Sequence, residues 1–208
     1  MKRKNTIFTA YFCSTFGILA SLSFSLPAHA APVIPNDPLF TRQSYLEQIH
    51  APDAWIATTG SDAIVIAVLD SGMDTDHPDL AGALWVNTGE IPGDGLDNDE
   101  NGYIDDINGW DFINEIPDPN PKFGGDFTVE GINHGTLLSG IIAARGNNNL
   151  GITGIAWHSR IMPLRVLNNK GGGNVFNVVK AIDYAIKKKA RIINLSFIGN
   201  ESSTFLHA

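Results

Sequence analysis

The sequence has a single cysteine, few basic residues and no long apolar run beyond its N-terminus. Because Cys13 has no partner in the chain, no internal disulfide can form, and an apolar core or bound ions must hold the fold. Acidic residues outnumber basic ones by 22 to 14, and the formal net charge is −8. Such a surface repels phosphate backbones, so we expect no nucleic-acid partner.

The N-terminal segment has the three-part pattern of a secretory signal peptide. Residues 2–4 are basic, residues 6–26 are mostly apolar, and residues 28–30 have the small-x-small pattern of a signal peptidase site. A transmembrane anchor is the alternative, but polar residues dilute the apolar run and a proline ends it. We therefore predict a signal peptide over 1–30 and a secreted or periplasmic mature chain over 31–208, with no membrane association after cleavage.

The mature part alternates β-rich and helical patterns. Apolar runs at 63–69, 160–167 and 190–195 predict buried strands, although Pro163 is unusual inside a strand. Between the last two runs, apolar residues recur every three or four positions over 175–189, which predicts an amphipathic helix. This order of strand, helix and strand indicates a parallel sheet with a right-handed crossover, and hence an α/β fold.

Two residues stand where such a fold places its chemistry. Asp70 directly follows the first predicted strand, and the carboxyl ends of parallel strands carry functional groups. His134 precedes the apolar run LLSGIIAA, which we interpret as a helix that opens at the histidine. Taken alone, Asp70 has a simpler interpretation as the cap of a turn, and a lone histidine is weak evidence. In this order, however, the two match the first members of an Asp, His, Ser arrangement.

Six stretches of the sequence resemble the subtilisin-like serine proteases, and together they cover nearly all of the mature chain. The resemblance implies a three-layer, doubly wound, mostly parallel α/β sheet of subtilisin type, incomplete at the C-terminus. In chain order the stretches are NDPLFTRQSYLEQIHAPDAW (36–55), AVLDSGMDTDHPDL (67–80), HGTLLSGIIAA (134–144), GNNNLGITGIA (146–156), LRVLNNKGGG (164–173) and IINLSFIG (192–199).

The resemblance implies a distinct role for each of the two residues in the hydrolysis of protein or peptide substrates. His134 would be the general base that takes the serine proton and returns it to the leaving amine. Asp70 would accept the other ring N–H, which fixes the tautomer and stabilises the imidazolium. After the histidine the family usually has Gly-Thr-x-Val-Ala-Gly, from which Leu138 and Ser139 are modest departures.

The third member of the triad has no match in this sequence. The family's nucleophile lies in a Gly-Thr-Ser-Met-Ala-like turn downstream of the histidine, with an oxyanion-binding asparagine between the two, and neither motif occurs. Ser71, Ser139 and Ser196 are poor substitutes, because they fall beside Asp70, inside the predicted helix and in the cleft strand. We therefore expect residues 31–208 to be the N-terminal part of a longer serine endopeptidase, inactive alone.

Two segments match the family's substrate cleft, in which an extended peptide pairs as a strand with the protein. Glycines let a peptide backbone approach closely, although a flexible turn is an equally good interpretation of the glycine run. The family usually has glycine at the position of Ile198, so the resemblance does not transfer a substrate preference. The matching positions are Gly171, Gly172, Gly173, Ser196, Phe197 and Ile198.

Acidic residues are concentrated in residues 86–121, which contain ten of them and no lysine or arginine. A solvated acidic insertion is one interpretation, but the mutual repulsion of so many carboxylates favours bound structural calcium. The pattern matches the start of a calcium loop without the glutamate of an EF-hand, and its candidate ligands are Asp97, Asp99, Asn101 and Asp105. The family resemblance implies a second site that uses Asp79 and the 147–152 loop.

The sequence thus favours part of a secreted, monomeric serine endopeptidase with structural calcium. One alternative is a non-catalytic, calcium-stabilised module that grips extended peptides, and another is an inert remnant that does not fold. Coding sequence that continues into an asparagine and a Gly-Thr-Ser turn would favour the peptidase. Cooperative melting of the expressed chain would exclude the remnant.

Overall fold

The computed structural model describes residues 30–125 and 128–199. Residues 1–29 of the predicted signal peptide and the last nine residues, 200–208, lie outside this description. Within the described part of the chain, no helix is long and apolar enough to cross a membrane.

Four parallel strands form one sheet, which confirms the predicted α/β class. The strands are β1 (Val65–Asp70), β2 (Trp110–Asp111), β3 (Arg160–Arg165) and β4 (Ile192–Leu195), in the spatial order β2-β3-β1-β4. The helices are α1 (Ser44–Gln48), α2 (Ala51–Ala54), α3 (Val129–Ala143) and α4 (Val175–Lys187), with short 3₁₀ turns at Phe40–Arg42 and Pro78–Leu80. β1 is therefore flanked by β3 and β4.

The central strand β1 is buried on both faces, and its alternate residues enter two different apolar clusters. Ala67 and Leu69 belong to one apolar cluster with residues of α4, among them Tyr184. Ile66 and Val68 belong to a second cluster on the other face, which includes Ala143 of α3. The result is a three-layer arrangement of helix, sheet and helix, as the resemblance implied.

Pro163 lies in the middle of β3, yet the strand loses no hydrogen bond to β1. The Ile161 N–H donates to the Ala83 carbonyl, and the Ile161 carbonyl accepts from the Trp85 N–H. The backbone N–H and C=O groups of the odd-numbered residues of β3 therefore point away from β1. On that side Gly109 passes so close to Pro163 that a Cβ on the glycine would lie 2.1 Å from the proline carbonyl oxygen. The proline thus occupies a position of the ladder where no regular strand pairs with its nitrogen.

The helix that contains His134 begins earlier than the sequence indicated. α3 starts at Val129 rather than at the histidine, because the Thr128 side chain caps it by accepting a hydrogen bond from the Gly131 N–H at 2.9 Å. Two glycines near the start hid the helical pattern, since glycine has a low helix propensity. α4 matches its prediction closely: it begins at Val175, is capped by Asn174, and ends at Lys187.

Candidate active site

Asp70 and His134 meet at the carboxyl edge of the sheet. The Nδ1 atom of His134 lies 2.9 Å from both carboxylate oxygens of Asp70. Asp70 is fully buried as the last residue of β1, whereas the His134 side chain is 43% exposed. One ring nitrogen is therefore held by a desolvated carboxylate, and Nε2 is the nitrogen left for a reacting group.

The turn after β1 fixes the Asp70 carboxylate and joins it to α3. The Ser71 N–H donates to Asp70 Oδ1 at 2.7 Å. The Ser71 hydroxyl donates to the Ile132 carbonyl at 3.0 Å and accepts from the Gly135 N–H at 3.2 Å. Ser71 is thus an internal link between the aspartate and the helix that contains the histidine.

Gly135 allows α3 to approach the end of β1. A Cβ atom on this residue would lie 2.2 Å from the Gly72 carbonyl oxygen and 3.1 Å from the Asp70 Cβ. The backbone of the glycine next to His134 is therefore in direct contact with the Asp70 turn. This close approach brings the imidazole within hydrogen-bonding distance of the carboxylate.

A buried arginine beside this pair was missed by the sequence reasoning. Arg165, the last residue of β3, is paired in register with Asp70 and is 3% exposed. Its guanidinium donates to the Ser71 carbonyl, to Asp111 and to the Asn169 side chain. A charged residue within the apolar run 160–167 was the signal available in the sequence.

The predicted cleft segments follow the two strands on either side of β1. The turn that contains Gly171, Gly172 and Gly173 follows β3; in it, Asn168 Oδ1 accepts the Gly172 N–H at 3.0 Å, and Gly171 has a φ of +78°. Ser196, Phe197 and Ile198 follow β4. The two segments thus flank the strand that ends in Asp70.

The residues after β4 differ in their surroundings. Phe197 packs against the apolar cluster of α4, and the Ser196 hydroxyl accepts a hydrogen bond from Asn194 at 3.0 Å. Ile198 is 91% exposed and projects a branched side chain from the segment. Among the described serines, none is hydrogen-bonded to His134: Ser71 bonds to α3, Ser139 to the Gly135 carbonyl, and Ser196 to Asn194.

Several predicted calcium ligands accept hydrogen bonds from backbone N–H groups of the acidic segment itself. Asp97 accepts hydrogen bonds from the Asn101 and Gly102 N–H groups at 3.0 and 2.7 Å. Asp105 accepts those of Gly93 and Gly95 at 2.8 and 3.0 Å. The Asn101 side chain accepts from the Tyr103 N–H and donates to Asp106.

Carboxylates converge at a different set of residues in this segment. Glu90, Asp99 and Asp106 each offer an oxygen, and these oxygens lie within 4.8 Å of one another. Asp99 is the one member that belongs also to the predicted set. Its Oδ1 atom is buried without a hydrogen-bond partner, so the group fits a cation that would ligate this oxygen.

Lys188 already supplies one positive charge to this acidic group. Its ammonium group is hydrogen-bonded to Asp99 Oδ2 and lies 3.6 Å from Asp106. Burial would raise the pKa of the Asp99 carboxyl, but hydrogen bonds from Lys188 and Asn87 outweigh burial and hold the pKa below its usual value.

Asp79 lies in a separate polar cluster with the 147–152 loop. Its buried carboxylate accepts hydrogen bonds from the Asn148 side chain at 3.0 Å and from the Ile152 N–H at 2.8 Å. Asp37, which the sequence reasoning missed, accepts from the Asn147 N–H and the Thr153 hydroxyl at 2.7 and 2.6 Å. Asp37 and Asp79, which belong to two different segments of the chain, thus both bind this loop through hydrogen bonds.

A parallel α/β sheet with a buried aspartate against a histidine at its carboxyl edge defines a hydrolase-like arrangement. The chain belongs to the Subtilase family, whose pattern matches residues 61–205. This match confirms the family resemblance drawn from the sequence.

Several similar proteins are proteases. The chain is 40% identical over 172 residues to Subtilisin-like protease 1 of Plasmodium berghei, covering 81% of this chain and 27% of that protein. It is 36% identical over 173 residues to thermitase of Thermoactinomyces vulgaris, covering 83% of this chain and 50% of thermitase. A halolysin-like extracellular serine protease of Natrialba magadii is 32% identical over 163 residues, covering 78% of this chain and 26% of that protein.

The fold has a solved counterpart as well. A protease of Pseudoalteromonas arctica superimposes with a TM-score of 0.52 at 28% sequence identity, and the match covers 82% of this chain and 48% of that one. The chain thus spans half or less of the length of each of these relatives.

Proposed function

We propose that this chain supplies the aspartate and the histidine of a secreted Asp-His-Ser endopeptidase. The observation that carries the proposal is the contact of His134 Nδ1 with both oxygens of the buried Asp70, at 2.9 Å. The serine and the oxyanion donor would come from sequence that the relatives have beyond the matched stretch.

In this reaction His134 acts through Nε2, since Nδ1 is bound to Asp70. The imidazole accepts the proton of the serine hydroxyl as that oxygen attacks the peptide carbonyl, and it then protonates the leaving amine. Asp70 holds the ring in the tautomer that leaves Nε2 unprotonated, and its negative charge stabilises the imidazolium that forms. The buried position of Asp70 strengthens this interaction, because little water screens the carboxylate.

The substrate would lie as an extended peptide between the turn at Gly171–Gly173 and the segment at Ser196–Ile198. The position of these segments on either side of β1 supports the proposal, since a peptide held between them passes the end of the strand that carries Asp70. The large exposed side chain of Ile198 would restrict the width of the cleft on the β4 side.

We further propose that the acidic segment binds structural calcium. Asp99 would be a ligand in either arrangement, together with Glu90 and Asp106 or with the predicted partners Asp97, Asn101 and Asp105. A bound ion would neutralise carboxylates and stabilise the folded chain, with no part in the reaction. Asp79 would serve a second site at the 147–152 loop.

The proposed working form is a monomeric, secreted or periplasmic protein, free of the membrane after signal cleavage, that acts on proteins or peptides. An excess of acidic residues fits a partner other than nucleic acid. The extracellular description of the Natrialba magadii relative supports the location.

A fluorophosphonate probe tests the proposed peptidase, because it labels only a serine that a catalytic histidine activates. The 208-residue chain and a longer product that includes the proposed serine are treated with the probe in parallel, each with a His134→Ala control. We expect labelling of the longer product alone, with its loss in the control. Labelling of neither product, together with tight binding of an extended peptide, would favour the non-catalytic binding module.

A further inference from the structure

Arg165 is a buried charge near the candidate active site, and its guanidinium has three hydrogen-bond partners. Its guanidinium is 3% exposed, and three of its nitrogens donate to three separate parts of the chain. Nη1 donates to Asp111 Oδ2 at 2.8 Å, so a fully buried carboxylate of β2 neutralises the arginine. This ion pair explains how a charged side chain can be buried here, but the guanidinium makes two further hydrogen bonds.

The second contact reaches the turn that follows Asp70. Arg165 Nε donates to the Ser71 carbonyl at 3.2 Å. Ser71 in turn donates its N–H to Asp70 and bridges to α3 through its hydroxyl. The arginine therefore holds a residue that is hydrogen-bonded both to the Asp70 carboxylate and to the helix of His134.

The third contact reaches the predicted cleft. Arg165 Nη2 donates to Asn169 Oδ1 at 3.0 Å. Asn169 is joined to the Gly124 carbonyl through its side chain and to the Thr128 N–H through its backbone. It lies two residues before Gly171, so the same guanidinium fixes the position of the glycine turn relative to the N-terminus of α3.

We propose that Arg165 is a positioning residue for the peptidase reaction. By donating to Ser71 and Asn169 from one rigid plane, it holds the Asp70–His134 pair in register with the glycine side of the substrate cleft. The inference rests on the proposed function of that pair. A planar group with five donors suits this task, whereas a lysine at the same position offers one nitrogen and cannot serve three acceptors in one plane.

The test separates positioning from simple stability. The Arg165→Met change leaves Asp111 buried without its cation, so this variant loses stability whatever the role of the arginine. Adding Asp111→Asn removes the orphaned charge, and the asparagine Oδ1 still accepts the backbone N–H groups of Ile113 and Asn114. The matched control is Arg160→Met, since Arg160 lies on the same strand and forms a partly exposed ion pair with Asp62.

The readout is the proton NMR resonance of the His134 Nδ1–H, measured in the 208-residue chain together with its melting temperature. We expect the double variant to recover most of the melting temperature lost in Arg165→Met, yet to lose the resonance. We expect Arg160→Met to keep the resonance. An unchanged resonance in the double variant would show that Arg165 only contributes to stability, and the inference would fail.

Two further variants complete the design. Arg165→Lys keeps a cation beside Asp111, so it tests the geometry even if the methionine variants do not fold; we expect a shifted resonance, and an unchanged one contradicts the inference. Asp70→Asn tests the pair itself. If Asp70→Asn leaves the resonance unaltered, the proposed function fails. If the resonance changes in Asp70→Asn but not in Arg165→Lys, only the positioning role of Arg165 is refuted.

Discussion

At the scale of single residues, the contact between α3 and the Asp70 turn depends on a residue without a side chain. Replacing Gly135 by alanine would place a Cβ 2.2 Å from the Gly72 carbonyl oxygen, a backbone atom that cannot rotate away as a side chain could. We expect Gly135→Ala to destabilise the fold by about 1–3 kcal/mol through overpacking. Urea unfolding of the variant and the parent measures the difference.

Gly140 of the same helix is the matched control. A Cβ at this position would meet only the Ile152 Cδ1, at 3.5 Å, which is an ordinary contact distance. Gly140→Ala should leave stability unchanged or raise it by about 0.4–1 kcal/mol, because alanine has fewer conformations to lose on folding. Equal losses in both variants would mean that the close approach at Gly135 is unimportant.

The sequence predicted which residues would meet but not what holds them together. Asp70 follows a strongly apolar run, and its order relative to His134 matched a known arrangement, so both could be selected from the chain alone. The roles of Ser71 and Arg165 could not be predicted, although Arg165 is a charged residue within an apolar run, because these roles depend on acceptors distant in sequence, such as the Ile132 carbonyl and Asp111. Tertiary hydrogen bonds of this kind leave no periodic signal.

At the scale of elements, α4 was the most predictable part of the fold, since its apolar spacing and its cap are both local. The Asn174 side chain accepts the Asn177 N–H at 2.9 Å. We expect Asn174→Ala to cost about 0.5–2 kcal/mol of stability and Asn174→Ser to cost far less, because serine retains an acceptor. Thermal unfolding of the two variants checks this, and equal losses would argue against a capping role.

The acidic segment gives a prediction for pH. The pKa of Asp99 is lower in the folded chain than its ordinary value, so its stabilising contribution is present above the ordinary pKa of an aspartate and is lost as the pH falls through the folded-state pKa. We expect the free energy of unfolding to drop between neutral pH and a pH below about 4. In Asp99→Asn the drop should be smaller, in urea titrations with chelator at constant salt.

A pH dependence identical in the parent and in Asp99→Asn would assign the acid sensitivity to other carboxylates.

The sequence predicted the acidic segment itself, but not which of its carboxylates bind the backbone and which converge on one another. Asp97 and Asp105 bind backbone N–H groups, whereas Glu90 and Asp106, which lie outside the matched pattern, converge on Asp99. The conformation of the loop decides which carboxylates converge, and the spacing of ligands in the sequence does not reveal that conformation.

At the scale of the whole molecule, a chain without disulfides is expected to depend on calcium. Chelation should lower the melting temperature, since an ion that binds only the folded state contributes about 2.7 kcal/mol at a hundred times its dissociation constant. The Asp97→Asn and Glu90→Gln variants distinguish the two proposed ligand sets, while the Asp97→Asn/Asp99→Asn double variant should lose most of the calcium dependence. A melting curve indifferent to calcium at fixed pH and salt would identify a solvated acidic insertion.

The most direct test of the central claim is the kcat/KM for a peptide substrate of a longer product that includes the proposed serine, compared with its His134→Ala and Asp70→Asn variants. The account predicts that each substitution lowers kcat/KM by roughly 10⁴-fold or more, as triad knockouts do in subtilisin-like enzymes. The 208-residue chain alone should show no turnover that depends on His134. Near-normal kcat/KM in either variant would contradict the assignment of Asp70 and His134 as the catalytic pair.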